Sequence, residues 1–468
     1  MSAIAELTAQ DRPPQQATGR ERWIALVVLC AGFLMIILDQ TIVNVALPSI
    51  QDDLGFSQSS LAWVVNAYLI AFGGLLLLAG RLGDLIGRKR VFLAGLAVFA
   101  LASLACGLAT SQEVLIGARF VQGVGGAMTS AVILGMIVTL FPQPGEQARA
   151  IGVYSFVAAG GGAIGLLAGG VLTEAINWHW IFYVNVPIGI ATAVYAVRLL
   201  DHEEGVGLAQ GADAAGALLV VSSLMLSVYT IVGAADHGWG STRTLALGAL
   251  SLTLLAGFVA RQATAAHPLM PLRIFRSRTI VAANLVQVFM VAGIFGMFFL
   301  GALWMQRVLG YGAVEVGLAF LPVAIAIAAL SLGISARLIM RLGAKQTLLG
   351  GLVLLAAGLV LFQRLPLDAS YVVDLMPGLT LMGIGGGLAF PAVMTLVMSG
   401  AGPADAGLAS GLANTTQQVG GALGLAVLAT LSATRADELV AGGQAHALAI
   451  TSRSSCGRRP PSLQHAGA

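Results

Sequence analysis

Long apolar runs and short polar connections alternate along the whole chain. Leu61 to Ala79 carries no charged residue and neither does Val91 to Ala109, yet the connection between them, GRLGDLIGRKR (80–90), holds five. Such apolar runs recur thirteen times, over roughly 23–47, 61–80, 91–110, 113–141, 149–172, 179–199, 214–234, 244–261, 279–304, 314–335, 347–363, 371–397 and 406–431. Each approaches the roughly 20 residues that a helix needs to cross a hydrocarbon core. A transmembrane strand would instead alternate over about ten residues. The pattern predicts an all-α polytopic membrane protein.

Composition agrees with the pattern. Charged residues make up 10% of the chain, hydrophobic ones 57%, and mean hydropathy is +0.89, whereas a soluble domain is about a quarter charged. Cys30 and Cys106 lie in apolar runs and Cys456 near the end, so no disulfide framework is expected. Residues 1–22 are polar and read as a cytoplasmic tail before an uncleaved first helix.

Charge sets the orientation. With the N-terminus inside, the cytoplasmic connections hold 16 Lys and Arg, and the opposite side only Arg243, Arg307 and Arg364. That is the positive-inside bias, and it places 80–90 on the cytoplasmic side. After Leu431 no full span returns, because LVAGGQAHALAI (439–450) is too short. A polar tail with Arg435, Arg453, Arg458 and Arg459 then falls outside, against the rule the rest obeys.

The chain also repeats itself. ARLIMRLGAK (336–345) aligns with GRLGDLIGRK (80–89) at an offset of 256, LMGIGGG (381–387) with VQGVGGA (121–127) at 260, and LGYG (309–312) with LGFS (54–57) at 255. ASGLANTTQQVGGALGL (409–425) aligns with AIGVYSFVAAGGGAIGL (150–166) at 259. Two homologous halves follow, 23–199 and 266–433, six helices in the first and five found in the second, with two inserted helices in 200–265 and a polar tail in 434–468. Paired halves of this kind are a transporter architecture with substrate near the midplane.

Four stretches carry a resemblance. LDQTIVNVALPSI (38–50), GRLGDLIGRKR, RFVQGVGGA (119–127) and NWHWIFYVNVPIG (177–189) are similar to signatures of the major facilitator superfamily, and more narrowly of its fourteen-span drug/proton antiporters. The likeness runs from about 20 to 433, with two departures: Leu166 stands where the fifth-helix signature has proline, and the last helix is missing. The resemblance implies alternating access between two six-helix halves and export of drug-like or antibiotic-like compounds in exchange for protons. The proton gradient is then the energy source, with no cofactor and no metal.

Asp39 lies 16 residues past Trp23, about 24 Å along a helix. Arg119 lies about 9 Å into a span that starts outside, so the two share a depth. Opposite charges in hydrocarbon pair. Burial favours the neutral acid and a nearby guanidinium the carboxylate, the balance that proton coupling needs. The resemblance assigns the position of Arg119 to proton transfer, and a static ion pair is the plainer alternative.

Asp84 is expected to latch the two states by facing the positive end of a helix from the other half, with Gly80, Gly87, Arg88 and Lys89 shaping the connection. The second-half copy has Met340 in place of the acid. Gly160, Gly161, Gly162, Gly165 and Gly169 are hinge candidates in place of the absent proline. Asn66, Gln122, Tyr154, Asn284, Gln287, Gln417 and Gln418 are candidates to line a cavity, although intramembrane amides also serve helix packing. Trp178 and Trp180 are expected at the interface belt.

The glycine runs GVGGA, GGGAIG and GIGGG lie inside apolar helices, follow no strand and are accompanied by no GK[ST], so no phosphate site is expected and close helix packing explains them. No enzymatic activity and no nucleic-acid partner are expected. The implied partners are a lipophilic small molecule, protons and membrane lipids, for a monomer. With Asp39 the single acid well inside a span, neutral, amphipathic or anionic substrates are favoured. A facilitator or uptake carrier for a small metabolite, or an inactive truncated transporter, stays open as an alternative.

Overall fold

The computed structural model describes residues 19–200, 205, 207, 212–366, 369–400 and 406–441. Most of the N-terminal tail and all residues from 442 onward, with Cys456 and the expectation about a fourteenth span, lie outside the described residues. Among the described residues, thirteen helices of fifteen residues or more follow one another: α1 Gly19–Leu54, α2 Trp63–Ile86, α3 Arg88–Gly107, α4 Gln112–Leu140, α5 Pro144–Ala175, α6 Asn185–Leu199, α7 Ala214–His237, α8 Thr242–Thr264, α9 Arg278–Arg307, α10 Ala313–Ala329, α11 Ala344–Gln363, α12 Met376–Ser399 and α13 Ala406–Ala441. Among the described residues there is no strand, and ten segments are long and apolar enough to cross a membrane.

Most apolar runs lie on one helix and several helices outrun theirs, whereas 179–199, 314–335 and 371–397 are each continued by a short helical or π-turn segment. α1 continues through Pro48 to Leu54, and α13 passes Arg435. Hydropathy marks the part of a helix that sits in hydrocarbon, whereas backbone hydrogen bonding carries it on into water. Starts are set by side-chain caps: Ser111, Asp213, Ser241 and Ser277 each accept from the backbone N–H three residues on.

The repeat seen in the sequence is a repeat of contacts. Gly125 on α4 meets the backbone of α3, where a Cβ would lie 2.5 Å from Phe99 N; 260 residues later, a Cβ on Gly385 would lie 2.7 Å from Leu355 N. A Cβ on Gly123 would lie 2.5 Å from the Tyr68 carbonyl oxygen on α2, and one on Gly383 2.9 Å from that of Val323 on α10. The α1–α5 contact, Gly161 against Leu34 and Ile37, returns as Gly420 against Val288 between α9 and α13. Gly87 and Gly343, 256 apart, hold φ of 101° and 88° where one helix stops and the next begins, a conformation that favours glycine. Gly125→Ala is expected to cost about 1–3 kcal/mol by overpacking a backbone contact. Gly117→Ala, with nothing within 4 Å, is expected to be neutral or slightly stabilising. Denaturant unfolding in mixed micelles compares the two.

The halves meet along two seams, α2 against α13 and α5 against α10. At the end that the charge bias predicts to face outside, polar contacts cross between them. Gln306 Nε2 donates to the Val45 carbonyl oxygen (2.8 Å), Arg307 donates to Gln51 and lies 3.7 Å from Asp52, and Glu174 accepts from Val314 N at the start of α10 (3.0 Å). Gly170 and Gly317 bring α5 and α10 to backbone contact just below. This end is closed.

Trp178 departs from the interface belt expected of it. It is 4% exposed and its Nε1 donates to Asp53 at 2.9 Å, so it closes a loop instead; Trp180, 44% exposed, is free to face a boundary.

The inserted pair is fastened at its other end. Asp213 accepts from Gly216 N, Arg261 Nε and Gln262 Nε2 at 2.8–2.9 Å, and Gln262 in turn accepts from Met270 N. Burial alone would raise the Asp213 carboxyl, but these three donors and the charge of Arg261 outweigh it and hold it low. A depressed folded value means that its stabilisation is complete above the unfolded pKa near 3.9 and is lost as pH falls through the folded value. Asp213→Ala is expected to cost about 0.5–2 kcal/mol as a lost cap, with the gap from wild type closing below that pH in acid unfolding curves.

α6 packs on both α1 and α3. The corresponding faces of α9 and α11 line an open apolar groove of about 300 Å³, floored by Phe289, Met290, Gly293, Leu352, Leu355 and Leu359.

Candidate functional site

Three helices of the first half, α1, α4 and α6, converge on one carboxylate. Asp39, in the middle of α1, is fully buried, and Arg119, in the third turn of α4, is 1% exposed. Arg119 Nη1 donates to Asp39 Oδ2 at 2.5 Å. Asp39 Oδ1 accepts from Gln122 Nε2 (2.7 Å) and from Asn185 Nδ2 at the start of α6 (2.9 Å). A carboxylate in this place needs several donors, because unsatisfied charge in an apolar interior costs several kcal/mol.

Arg119 is held on its other sides too. Its Nε donates to the Val64 carbonyl oxygen on α2 (2.9 Å) and its Nη1 to Gln122 Oε1 (2.6 Å). The guanidinium stands 4.4 Å from the Tyr68 ring centroid and 5.7 Å from that of Phe182, both within reach of a cation–π attraction. Gln122 Nε2 also donates to Ser103 Oγ on α3 (2.7 Å), and Cys106 Sγ lies 3.7 Å from its oxygen. The guanidinium therefore keeps a carbonyl, an amide oxygen and two ring faces besides its anion. Loss of the charge on Asp39 would break the ion pair without stranding the cation.

Of the residues singled out in the sequence, Asp39, Arg119 and Gln122 are thus one cluster. Asn66 is fully buried on α2, and neither of its amide atoms has a hydrogen-bond partner among the described residues. The side-chain oxygens of Asn284, Gln287 and Gln418 are likewise buried and unpartnered. Gln418 lies where α13 meets Gly73 of α2, and Gln287 adjoins Val288, which meets Gly420 of α13. Gln418 therefore lies at the seam between the halves and Gln287 beside the α9–α13 contact within the second half, and Gln417 is half-buried. Tyr154 instead stacks on Phe33 at 4.2 Å.

The glycines of α5 form a packing face. A Cβ on Gly161 or Gly169 would meet Ile37 or Ile42 of α1 at 2.9 or 2.7 Å, and one on Gly165 would overlap Thr41, while Gly162 has room. Gly160 lies on the same helix. In 80–90, Asp84 accepts from Arg88 at 3.2 Å, Arg88 donates to Thr139, and Lys89 donates to the Val197 carbonyl oxygen (2.9 Å); a Cβ on Gly80 would lie 3.9 Å from that of Ala131. The Asp84–Arg88 pair joins α2 to α3, both of the first half.

Asn185, Ser103 and the Val64 carbonyl were not foreseen. Asn185 stands in the quoted stretch NWHWIFYVNVPIG, but an Asn before Val-Pro reads equally as a helix start. A carbonyl leaves no trace in a sequence.

Residues 29–425 match the family profile described as Major Facilitator Superfamily. The puromycin resistance protein pur8 of Streptomyces alboniger is 41% identical over 419 residues, covering 89% of this chain and 83% of that protein. The cephamycin export protein CmcT of Amycolatopsis lactamdurans is 40% identical over 411 residues, 87% of this chain and 84% of that one. Among solved structures, a D-xylose-proton symporter superposes with a TM-score of 0.64 at 14% identity, over 91% of this chain and 93% of that one. That last likeness is one of fold.

Proposed function

Because this chain belongs to the major facilitator superfamily, we propose that it exports antibiotic-like compounds across a bacterial inner membrane in exchange for protons. The observation that carries the reading is the buried Asp39–Arg119 pair, one carboxylate and one guanidinium bridging α1 and α4. The relatives support the cargo class, since their names speak of puromycin resistance and cephamycin export.

The cycle follows from the contacts. A proton that reaches Asp39 converts it from an acceptor of three donors into a neutral acid. The ion pair is lost, Arg119 swings onto its remaining partners, and α1 and α4 are released from each other. A state in which substrate competes for the freed amides would then bind cargo and proton alternately, which is the thermodynamic content of exchange. The N-terminus is cytoplasmic in this scheme, the closed end bearing Arg307 and Glu174 faces outward, and Asp84 and its neighbours act at the inner side.

Cells carrying the chain are expected to accumulate less puromycin than cells without it, and cells carrying Asp39→Asn as much as cells without it. Equal accumulation in all three, across a panel of antibiotics applied to cells with verified membrane insertion, would sink the export reading.

A further inference from the structure

A second cavity opens at the end predicted to face outside. It is a cleft of about 200 Å³ between the start of α2 and the turn joining α7 to α8, lined among others by Trp63, Tyr229, His237, Arg243 and Thr244. Arg243 is one of three arginines in the connections predicted for that side, with Arg307 and Arg364. Arg307 has Asp52 as its counter-charge; Arg243 has no carboxylate partner among the described residues. Its partners are neutral: Nη2 donates to Tyr229 Oη (2.7 Å), the guanidinium stands 5.9 Å from that ring, and Nη1 lies 2.5 Å from His237 Nε2.

The histidine can be assigned. Its Nδ1 lies 3.0 Å from the Gly233 carbonyl oxygen, which can only accept, so Nδ1 carries the proton and Nε2 accepts from Arg243. The ring is neutral and orients the guanidinium instead of repelling it. Arg has five N–H donors in a planar fork. Tyr229 and His237 take two of them, so three remain for a ligand in the cleft.

A cation fixed in a cavity by neutral partners is a site for an anion, and a planar guanidinium suits phosphate geometry. The surroundings indicate its source. From the cleft, α8 runs on with an exposed apolar stripe at Leu245, Leu252 and Leu255, so a ligand with long chains would lie along it. We propose that the cleft binds the phosphodiester of an outer-leaflet phospholipid, seated on Arg243, with its acyl chains against α8. The inserted pair α7–α8 is then a lipid-held element, clamped by Asp213 at one end and by lipid at the other.

The test is native mass spectrometry of the purified full chain titrated with dioleoylphosphatidylglycerol, in wild type, Arg243→Gln and Arg364→Gln. The last removes an exposed arginine at the same end, outside the cleft. One tightly held lipid in wild type and in Arg364→Gln, weakened about tenfold in Arg243→Gln by loss of roughly 1.4 kcal/mol of charge-assisted bonding, is the expected result. Equal lipid binding in all three overturns the proposal. Inorganic phosphate that protects wild type but not Arg243→Gln from heat, with equal lipid binding in both, retains the phosphate chemistry and overturns the lipid source. Circular dichroism of each variant shows that it is folded.

Discussion

Arg119→Leu is expected to destabilise the protein by about 3–5 kcal/mol, the cost of stranding one member of a buried ion pair. It leaves Asp39 fully buried with only the amides of Gln122 and Asn185 to face its charge. Asp39→Asn is expected to cost less, because Arg119 keeps the Val64 carbonyl oxygen, Gln122 Oε1 and the Tyr68 ring. The double variant Asp39→Asn/Arg119→Leu should be more stable than the sum of the two by about 0.5–3 kcal/mol, as for residues in one network. Denaturant unfolding of the four proteins in mixed micelles measures this. Strict additivity would mean that the two side chains are not coupled.

The second large effect concerns the closed end. Glu174→Lys places a cation at the start of α10, where the helix dipole and the Val314 N–H favour an anion, and Arg307→Glu sets an acid against Asp52. Each reversal turns an attraction of roughly 0.3–1 kcal/mol into a repulsion of similar size. Together they shift the balance between the two orientations by about 2 kcal/mol, roughly thirtyfold. Spin-label distances between the α1–α2 and α9–α10 turns should lengthen in the double variant. Unchanged distances would show that apolar packing at Gly170 and Gly317, not charge, closes this end.

The helical architecture was legible because hydropathy and charge bias act at the scale of whole segments. The two halves were legible because the contacts that repeat are made by glycines, at Gly125 and Gly385 and at Gly87 and Gly343, and a glycine that lets backbones touch is visible in a sequence. The Asp39–Arg119 pair was legible from depth alone, since charges in hydrocarbon have few other choices. What surrounds that pair was less so. Asn185 lies 146 residues from Asp39 and the Val64 carbonyl 55 from Arg119, and nothing local marks either as a partner. Trp178 misled because a tryptophan near a span end has two apolar uses, a membrane boundary or a buried loop, and its choice was made by Asp53, 125 residues away. The packing role of the α5 glycines was legible, since their spacing of four places Gly161, Gly165 and Gly169 on one face against α1.

The most direct test of the central claim follows protons. Everted vesicles carrying the chain are energised until a pH gradient is established, and puromycin or another lipophilic antibiotic is added while the gradient is monitored. Partial collapse with wild type, absent with Asp39→Asn, is the predicted result. Collapse of equal size in both would show that the compound moves protons without Asp39, and it would contradict the coupling role given to the buried pair.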